Sequence, residues 1–279
     1  MQGGWEVKSD FFKPQRDILD KQIGKFLPSP QAELLSGILL GQNRQLPGQF
    51  KLALRDTSTL HIVVASGQNL SMVAGFFLLL SGLIKRKIAL SLSFLAVIFY
   101  VFLTGVQVPV LRAAIMVLAG FLAQALGREK LSVWILILTA GLMLLINPKW
   151  ISDLSFQLSF LATLGVIGVA PVIMNYLKKL PQFISQDLAV SLAAQIMVFP
   201  VIAGNFHQFS LVAIPANLLV LWTVPFIMIL GAIFLIFSFI FPPLASFIAL
   251  IANIFLTYFV YVVEFFGKLP NSWEYIGEV

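Results

Sequence analysis

The stretch HIVVASGQNLSMVAGFF, residues 61–77, decides how the rest of the chain is interpreted. It begins and ends as an apolar run, but four small or polar residues interrupt it: Ser66, Gly67, Gln68 and Asn69. Backbone and amide groups placed in hydrocarbon lose free energy unless they find hydrogen-bond partners. The stretch therefore predicts a helix that is broken inside a membrane and lines a wet cavity. A simple kink is the alternative.

The composition places the whole chain in a membrane. It is 59% hydrophobic and only 11% charged, whereas a soluble domain is about 25% charged. Successive apolar runs of about 20 residues have the length that crosses a bilayer. We predict an all-α fold, a polytopic membrane helical bundle with seven or eight transmembrane helices and a discontinuous first span. The predicted spans are residues 60–84, 88–105, 108–126, 131–146, 152–174, 187–204, 211–239 and 243–266.

The N-terminal part of the chain differs from the spans. Apolar residues recur there at helical spacing after Pro14 and again within residues 31–41, which predicts amphipathic helices on a membrane surface or against the bundle. Gly37 and Gly41 form a small-xxx-small pair that allows close helix approach. We predict a juxtamembrane amphipathic segment at 1–59, a transmembrane domain at 60–267 and a C-terminal tail at 268–279. No cleavable signal peptide is expected, so the first span would direct insertion.

Basic residues gather in alternate predicted loops. These residues are Lys85, Arg86 and Lys87, then Arg128 and Lys130, then Lys178 and Lys179. Because loops rich in lysine and arginine stay in the cytoplasm, these three loops are predicted to be cytoplasmic. The chain is then a multi-pass protein whose N-terminal segment and C-terminal tail are extracytoplasmic.

The unusual polar residues fall near the outer ends of the predicted spans. They are His61 and the 66–69 tetrapeptide in the first span, Arg112 in the third, Asp153, Gln157 and Ser159 in the fifth, Gln195 in the sixth and Asn217 in the seventh. Together they predict a polar, channel-lining funnel that opens outward. Four prolines are predicted to break or bend helices: Pro109, Pro200, Pro215 and Pro225.

Each of these residues also has a structural interpretation. Arg112 either faces inward and pairs with a carboxylate, for which Asp153 is the natural candidate, or snorkels to lipid head groups. Asp153 is equally explained as a helix N-cap, and His61 as an interfacial histidine. The amides of Gln157, Gln195 and Asn217 could also hydrogen-bond between helices without a function in transport.

The residues that are missing exclude several kinds of chemistry. The chain has no cysteine and only two histidines, which rules out thiolate sites and argues against a histidine-based metal site. No G-x-x-x-x-G-K-[ST], HExxH or GxSxG motif is present. We therefore expect no enzymatic activity, no metal and no cofactor. A proton-coupled carrier usually needs an acid near the midplane, and none is evident.

Four blocks of sequence resemble one known family. The segment from His61 to Asn69 is similar to the H-x-x-x-x-S-G-x-H segment of the competence domain of ComEC-type DNA-uptake proteins. The stretch GVQVPVLRAAIM, residues 105–116, resembles the proline–arginine–alanine–methionine stretch of that family. Asn147-Pro148 followed by DLSFQLSFLA, residues 153–162, and the segments 199–200, 206–210 and 216–218 continue the resemblance in order.

The resemblance implies a channel in the bacterial inner (plasma) membrane that passes single-stranded DNA during natural transformation. The implied partners are single-stranded DNA, membrane lipids, a cytoplasmic ATPase or helicase motor, and an extracytoplasmic DNA receptor or nuclease; homo-oligomerisation stays open. Asn69 departs from the family, which carries a histidine there. The OB-like and metallo-β-lactamase-like domains common in the family are not expected in 279 residues. The alternatives are a permease for a small anion or lipid, and a structural membrane subunit.

Overall fold

The computed structural model describes residues 12–42, 46–63, 67–79, 82, 84–105, 108–125, 132–206, 208–210, 212–269 and 273–275. Helices account for most of these residues, which confirms the all-α class. The first six helices are α1 (Lys13–Phe26), α2 (Gln31–Leu40), α3 (Gly48–Asp56), α4 (Leu60–Val63), α5 (Gly67–Leu79) and α6 (Arg86–Thr104).

Eight further helices follow in the described part of the chain. They are α7 (Val108–Ala125), α8 (Ser132–Ile146), α9 (Leu154–Leu164), α10 (Ala170–Tyr176), α11 (Gln182–Phe206), α12 (Ala213–Leu221), α13 (Val224–Ile240) and α14 (Pro242–Gly267). A 3₁₀ turn at Pro148–Ser152 precedes α9, and a π-helical segment at Gly165–Val169 joins α9 to α10. Two short strands, β1 (Gln208–Ser210) and β2 (Trp273–Tyr275), form an antiparallel ladder that was not predicted.

Four helical stretches in the described part of the chain are long and apolar enough to cross a membrane. They are Arg86–Thr104, Leu154–Tyr176, Ile184–Asn205 and Pro242–Gly267. A fifth forms if α12 and α13 count as one bent span. Shorter apolar helices occupy the predicted first, third and fourth spans. The number of seven or eight spans therefore stays a prediction.

The four prolines act differently from one another. Pro109 is the second residue of α7 and Pro225 the second of α13, where a missing N–H breaks no helical hydrogen bond. Pro215 is the third residue of α12, again within the first turn. These prolines begin helices, and the predicted seventh span is divided before Pro225. The predicted break at Pro200 is wrong, because α11 continues through it from Gln182 to Phe206. Membrane helices tolerate an internal proline when other groups satisfy the freed backbone carbonyl.

The chain forms two compact units. Unit 1 comprises residues 1–47, 61–114 and 223–260, and unit 2 comprises residues 48–60, 115–222 and 261–279. Each unit is built from three segments that alternate along the sequence with those of the other unit. The predicted domain boundaries at 59 and 267 stay predictions.

Helix α2 forms the centre of unit 1. Eight of its ten residues are buried, and it packs against α1, α6 and α13. Leu35 and Leu39 fill the space beside Gly231 of α13, where an added Cβ would lie 2.6 Å from Leu35 and 2.8 Å from Leu39. Of the two predicted positions for this helix, the structure therefore supports packing against the bundle. Gly37 allows the close approach of Val63, whereas Gly41 ends the helix with φ 69°.

In unit 2 the central contact joins the α9–α10 stretch to α11. Ala170, Ala189 and Ala193 form a small buried cluster there. Gly165, at the start of the π-helical segment, lies so close that an added Cβ would be 2.5 Å from the carbonyl oxygen of Ala193. Small residues permit this approach, as in many membrane helix pairs.

Three segments that were separately predicted to be extracytoplasmic meet in unit 2. The Ser210 hydroxyl in β1 donates to the Asp56 carbonyl at the end of α3. Gly267, at the end of α14, packs against Ala53 of α3, and β2 pairs with β1. The strand β1 follows the C-terminal end of α11, whereas Lys178 and Lys179 precede the N-terminal end of α11. A helix of 25 residues separates the two ends by about 37 Å, and the predicted topology stays a prediction.

The packing at Gly165 leads to a paired prediction. Gly165→Ala should destabilise the protein by about 1–3 kcal/mol because its methyl group overlaps a backbone oxygen. Gly168→Ala, in the same π-helical segment, meets no atom within 4 Å and should change stability by less than about 0.5 kcal/mol. Thermal unfolding in detergent micelles measures both. Equal effects would show that the close contact with α11 does not limit stability.

Candidate functional site

The C-terminal end of α2 presents a backbone acceptor to the interior of unit 1. The last four carbonyls of any helix lack partners within it. The N–H groups of Gly41 and Gln42 satisfy the carbonyls of Gly37 and Ser36, a common glycine-terminated ending. The carbonyl of Ile38 instead accepts from two side chains, the Tyr100 hydroxyl at 3.0 Å and the Asn69 Nδ2 at 3.4 Å.

Asn69 connects three helices at this point. Its side chain also donates to the carbonyl of Ile62 in α4 at 3.4 Å and lies beside the Tyr100 hydroxyl. Only 1% of Asn69 is exposed. A primary amide suits this position because its single nitrogen carries two N–H donors, one for each carbonyl. The residue that departs from the family pattern therefore ties α5 to α2 and α4.

The same contact shows that α4 and α5 are not one straight helix. Seven residues of a straight α-helix rise about 10.5 Å, further than an asparagine side chain and a hydrogen bond together extend. The bond from Asn69 to the carbonyl of Ile62 is thus incompatible with one straight helix through both residues. The predicted discontinuity agrees with the two separate helices α4 and α5, whereas the span itself stays a prediction.

Arg112 is buried beside the beginning of α5. Only 8% of it is exposed, so its side chain faces the interior of unit 1, whereas its pairing with a carboxylate stays a prediction. A Cβ added to Gly67, the first residue of α5, would lie 2.9 Å from Nη2 of Arg112 and 3.0 Å from Cβ of Ala113. The absence of a side chain at Gly67 therefore allows α7 to bring its guanidinium against the start of α5.

The electrostatics of this contact favour an anion. The N-terminal end of a helix carries a partial positive charge and unsatisfied N–H groups. Arg112 adds a full positive charge beside that end of α5. Helix N-termini and arginine side chains each bind phosphate and carboxylate groups in proteins. The arrangement can attract such a group.

Arg16 is a second buried arginine that the sequence interpretation missed. It lies in α1, is 6% exposed, and donates from Nη1 to the carbonyl of Leu103 at 3.3 Å. Burial lowers the pKa of this guanidinium, and the nearby Asp17 carboxylate opposes the shift. The seven-residue spacing from Arg16 to the buried Ile23 places both on one helix face. That spacing was the signal in the sequence from which the burial of Arg16 could have been predicted.

These residues lie at one end of unit 1. α5 and α6 are antiparallel, because residue 69 contacts residue 100 and residue 74 contacts residue 93. The start of α5 and the end of α6 therefore lie together, away from Lys85, Arg86 and Lys87 at the start of α6. We call the set formed by Arg16, Gly67, Asn69, Tyr100 and Arg112 the polar end of unit 1.

The predicted site residues of unit 2 have local roles. Asp153 accepts from the N–H of Phe156 at 3.0 Å and caps α9, which is the N-cap alternative. Gln157 donates to the carbonyl of Ile151 at 2.8 Å, and Ser159 and Gln195 are half-buried. Asn217 is 8% exposed in α12, and its Oδ1 has no hydrogen-bond partner among the described residues.

The structure does not test some of the predicted site residues. The pairing of Arg112 with Asp153 stays a prediction. His61 is exposed in α4, while Ser66 and the side chain of Gln68 lie outside the described residues. The described ranges contain no group of three or more His, Cys, Asp or Glu residues that could hold a metal ion.

The shared acceptor at Ile38 can be tested with a double-mutant cycle. Tyr100→Phe and Asn69→Ala should each destabilise the protein by about 1–2 kcal/mol, since one donor still serves the carbonyl. The double variant should lose more than the sum, because the buried carbonyl then has no donor. Asn205→Ala is the control, as Asn205 is exposed and bonds only within its own helix. Additive losses in thermal unfolding would show that the carbonyl is satisfied in another way.

Comparison with known proteins agrees with the resemblance noted in the sequence. The family model described as "Competence protein" matches residues 38–279. ComE operon protein 3 of Bacillus subtilis is 29% identical over 212 residues, which cover 74% of this chain and 26% of that protein. The Escherichia coli protein YcaI is 29% identical over 217 residues, 72% of this chain and 28% of its own length.

A third relative, from Aquifex aeolicus, is 32% identical over 161 residues, 56% of this chain and 38% of that protein. The chain thus spans between 26% and 38% of the length of these relatives. No solved structure matches it. Since the family model covers the chain from within α2 to its last residue, the chain belongs to the competence protein family.

Proposed function

We propose that this chain forms the membrane channel through which single-stranded DNA enters the cytoplasm during natural transformation. The observation that carries the proposal is its membership of the competence family over residues 38–279. The apolar helices and the polar end of unit 1 support it physically. The channel lies in the bacterial inner membrane, with the N-terminal segment extracytoplasmic.

The polar end of unit 1 supplies the contact with DNA in this proposal. Arg112 and the N-terminal end of α5 attract the phosphates of a passing strand. A channel must bind its cargo well enough to admit it and weakly enough to release it. The buried guanidinium of Arg112 with backbone amides and water satisfies both conditions better than a dense basic patch, which would hold the strand.

The work of transport comes from partners. No nucleotide-binding loop is present in the sequence, so a cytoplasmic ATPase or helicase pulls the strand. An extracytoplasmic receptor or nuclease delivers it as a single strand, and the apolar helices contact membrane lipids. The chain itself performs no chemical step and needs no cofactor. Self-association would add further cations around the pathway.

Deletion of the gene in a naturally competent host tests the proposal directly. Entry of labelled DNA into the cytoplasm should fall to background, because the strand has no other way through the membrane. Binding of DNA at the cell surface should be unchanged, since the receptor is a different protein. Wild-type transformation in the deletion strain would refute the channel.

Two glycines of α5 provide a matched test of the site. Gly67→Ala places a methyl group 2.9 Å from the Arg112 guanidinium and should displace it, since a side-chain end moves more easily than backbone. Gly75→Ala meets nothing within 4 Å. We expect uptake to fall roughly tenfold for Gly67→Ala and for Arg112→Ala, the loss of about 1.4 kcal/mol. Gly75→Ala should retain wild-type uptake; equal uptake in all three variants would remove Arg112 from the pathway.

A small-anion permease is the second candidate. The buried guanidinium of Arg112 beside a helix N-terminus would hold a carboxylate or phosphate ion equally well. Proteoliposomes distinguish the two functions. Uptake of a labelled small anion that excess single-stranded DNA leaves unchanged would favour the permease, whereas DNA-blocked or absent uptake favours the channel.

A further inference from the structure

Arg16 is a buried charge outside the part of the chain that the family model matches. It lies in α1, whereas the family model begins at residue 38. Only 6% of it is exposed, although most other polar residues of α1 are half-buried or exposed. Burying a guanidinium costs free energy unless its charge and its N–H groups are compensated. The structure shows what compensates it.

The guanidinium of Arg16 lies against the end of α6. Its Nη1 donates to the carbonyl of Leu103 in the last turn, where the helix dipole favours a positive charge. Gly105 follows with φ +84°, a conformation that favours glycine. A Cβ at Gly105 would lie 2.9 Å from Nη1 of Arg16, so even a methyl group would push the guanidinium away.

A second contact joins α1 to the same place. The rings of Phe12 and Phe102 lie with their centroids 5.8 Å apart, and residue 12 is one helical turn before Arg16. The two contacts together hold the start of α1 on the last turn of α6. The C-terminal end of α6 is therefore attached to α1 by an aromatic pair and by a charged hydrogen bond.

We propose that Arg16 is a positioning residue for Arg112. By holding Gly105, three residues before α7, it sets where that helix begins, and so places Arg112 against Gly67. A lysine would keep the positive charge at the end of α6. It would lose the planar guanidinium group, which donates to the Leu103 carbonyl and also packs on Gly105. A glutamine would keep a donor without the charge.

Cysteine labelling tests the positioning without any assay of transport. The chain contains no cysteine, so Leu111→Cys, beside Arg112 in α7, gives a single reporter thiol. Adding Arg16→Gln should change its rate of reaction with a maleimide several-fold, because α7 moves. Arg55→Gln is the control, as Arg55 pairs with Asp56 on an exposed surface and should leave the rate unchanged.

An unchanged rate in Arg16→Gln would overturn the proposal. If this variant does not accumulate in the membrane, Arg16→Lys decides the matter, since it keeps the buried charge compensated. We expect Arg16→Lys to fold and to show a changed labelling rate. A wild-type rate in Arg16→Lys would then overturn the positioning.

Epistasis separates positioning from a purely structural role. This arm rests on the proposed function. Arg16→Gln should lower DNA uptake per folded molecule roughly as much as Arg112→Ala does, and the double variant should be no worse than Arg112→Ala alone. If the fold losses of uptake in the two single variants multiply in the double variant, Arg16 acts independently of Arg112. If the wild-type gene gives no uptake at all, the proposed function fails, while the labelling result still decides the role of Arg16.

Discussion

The structure of unit 1 depends on one backbone carbonyl, that of Ile38 at the end of α2. A buried acceptor without a donor costs about 1–3 kcal/mol, so some side chain must reach it. Tyr100 and Asn69 both do, and they come from α6 and α5. The need of the Ile38 carbonyl for a donor thereby determines how α5 and α6 lie against the end of α2. Asn69 also serves the carbonyl of Ile62 and so ties α4 to the same place.

The two buried arginines show how helix ends give the same side chain different roles. Arg16 lies at the C-terminal end of α6, where the partial negative charge of the helix compensates it. Arg112 lies at the N-terminal end of α5, where the partial charge is positive and adds to its own. The first arrangement stabilises a turn, and the second creates an attraction for anions. Both depend on a glycine that leaves room for the guanidinium, Gly105 for Arg16 and Gly67 for Arg112.

Sequence reasoning succeeded where a residue was improbable in its own surroundings. The polar residues within residues 61–77 and the single arginine in an apolar run were recognisable because membrane spans rarely contain them. It failed where the outcome depended on a distant segment. Pro200 lies inside a continuous helix, and Arg16 was hidden in a charged segment whose surroundings were unknown. Asn69 was identified as a departure from the family, but its partner at Ile38 is 31 residues away and no spacing rule connects them.

The sequence by itself determined the membrane character, the all-α class, the discontinuity of the first span and the family. Each of these follows from local composition, since apolar length and interrupting polar groups act on the segment that contains them. The tertiary structure alone decided which polar groups meet. It placed Arg112 against Gly67, joined Asn69 and Tyr100 to one carbonyl, and put Arg16 at the C-terminal end of α6. Hydrogen bonds and close contacts extend only a few ångströms, so they depend on how helices distant in sequence pack together.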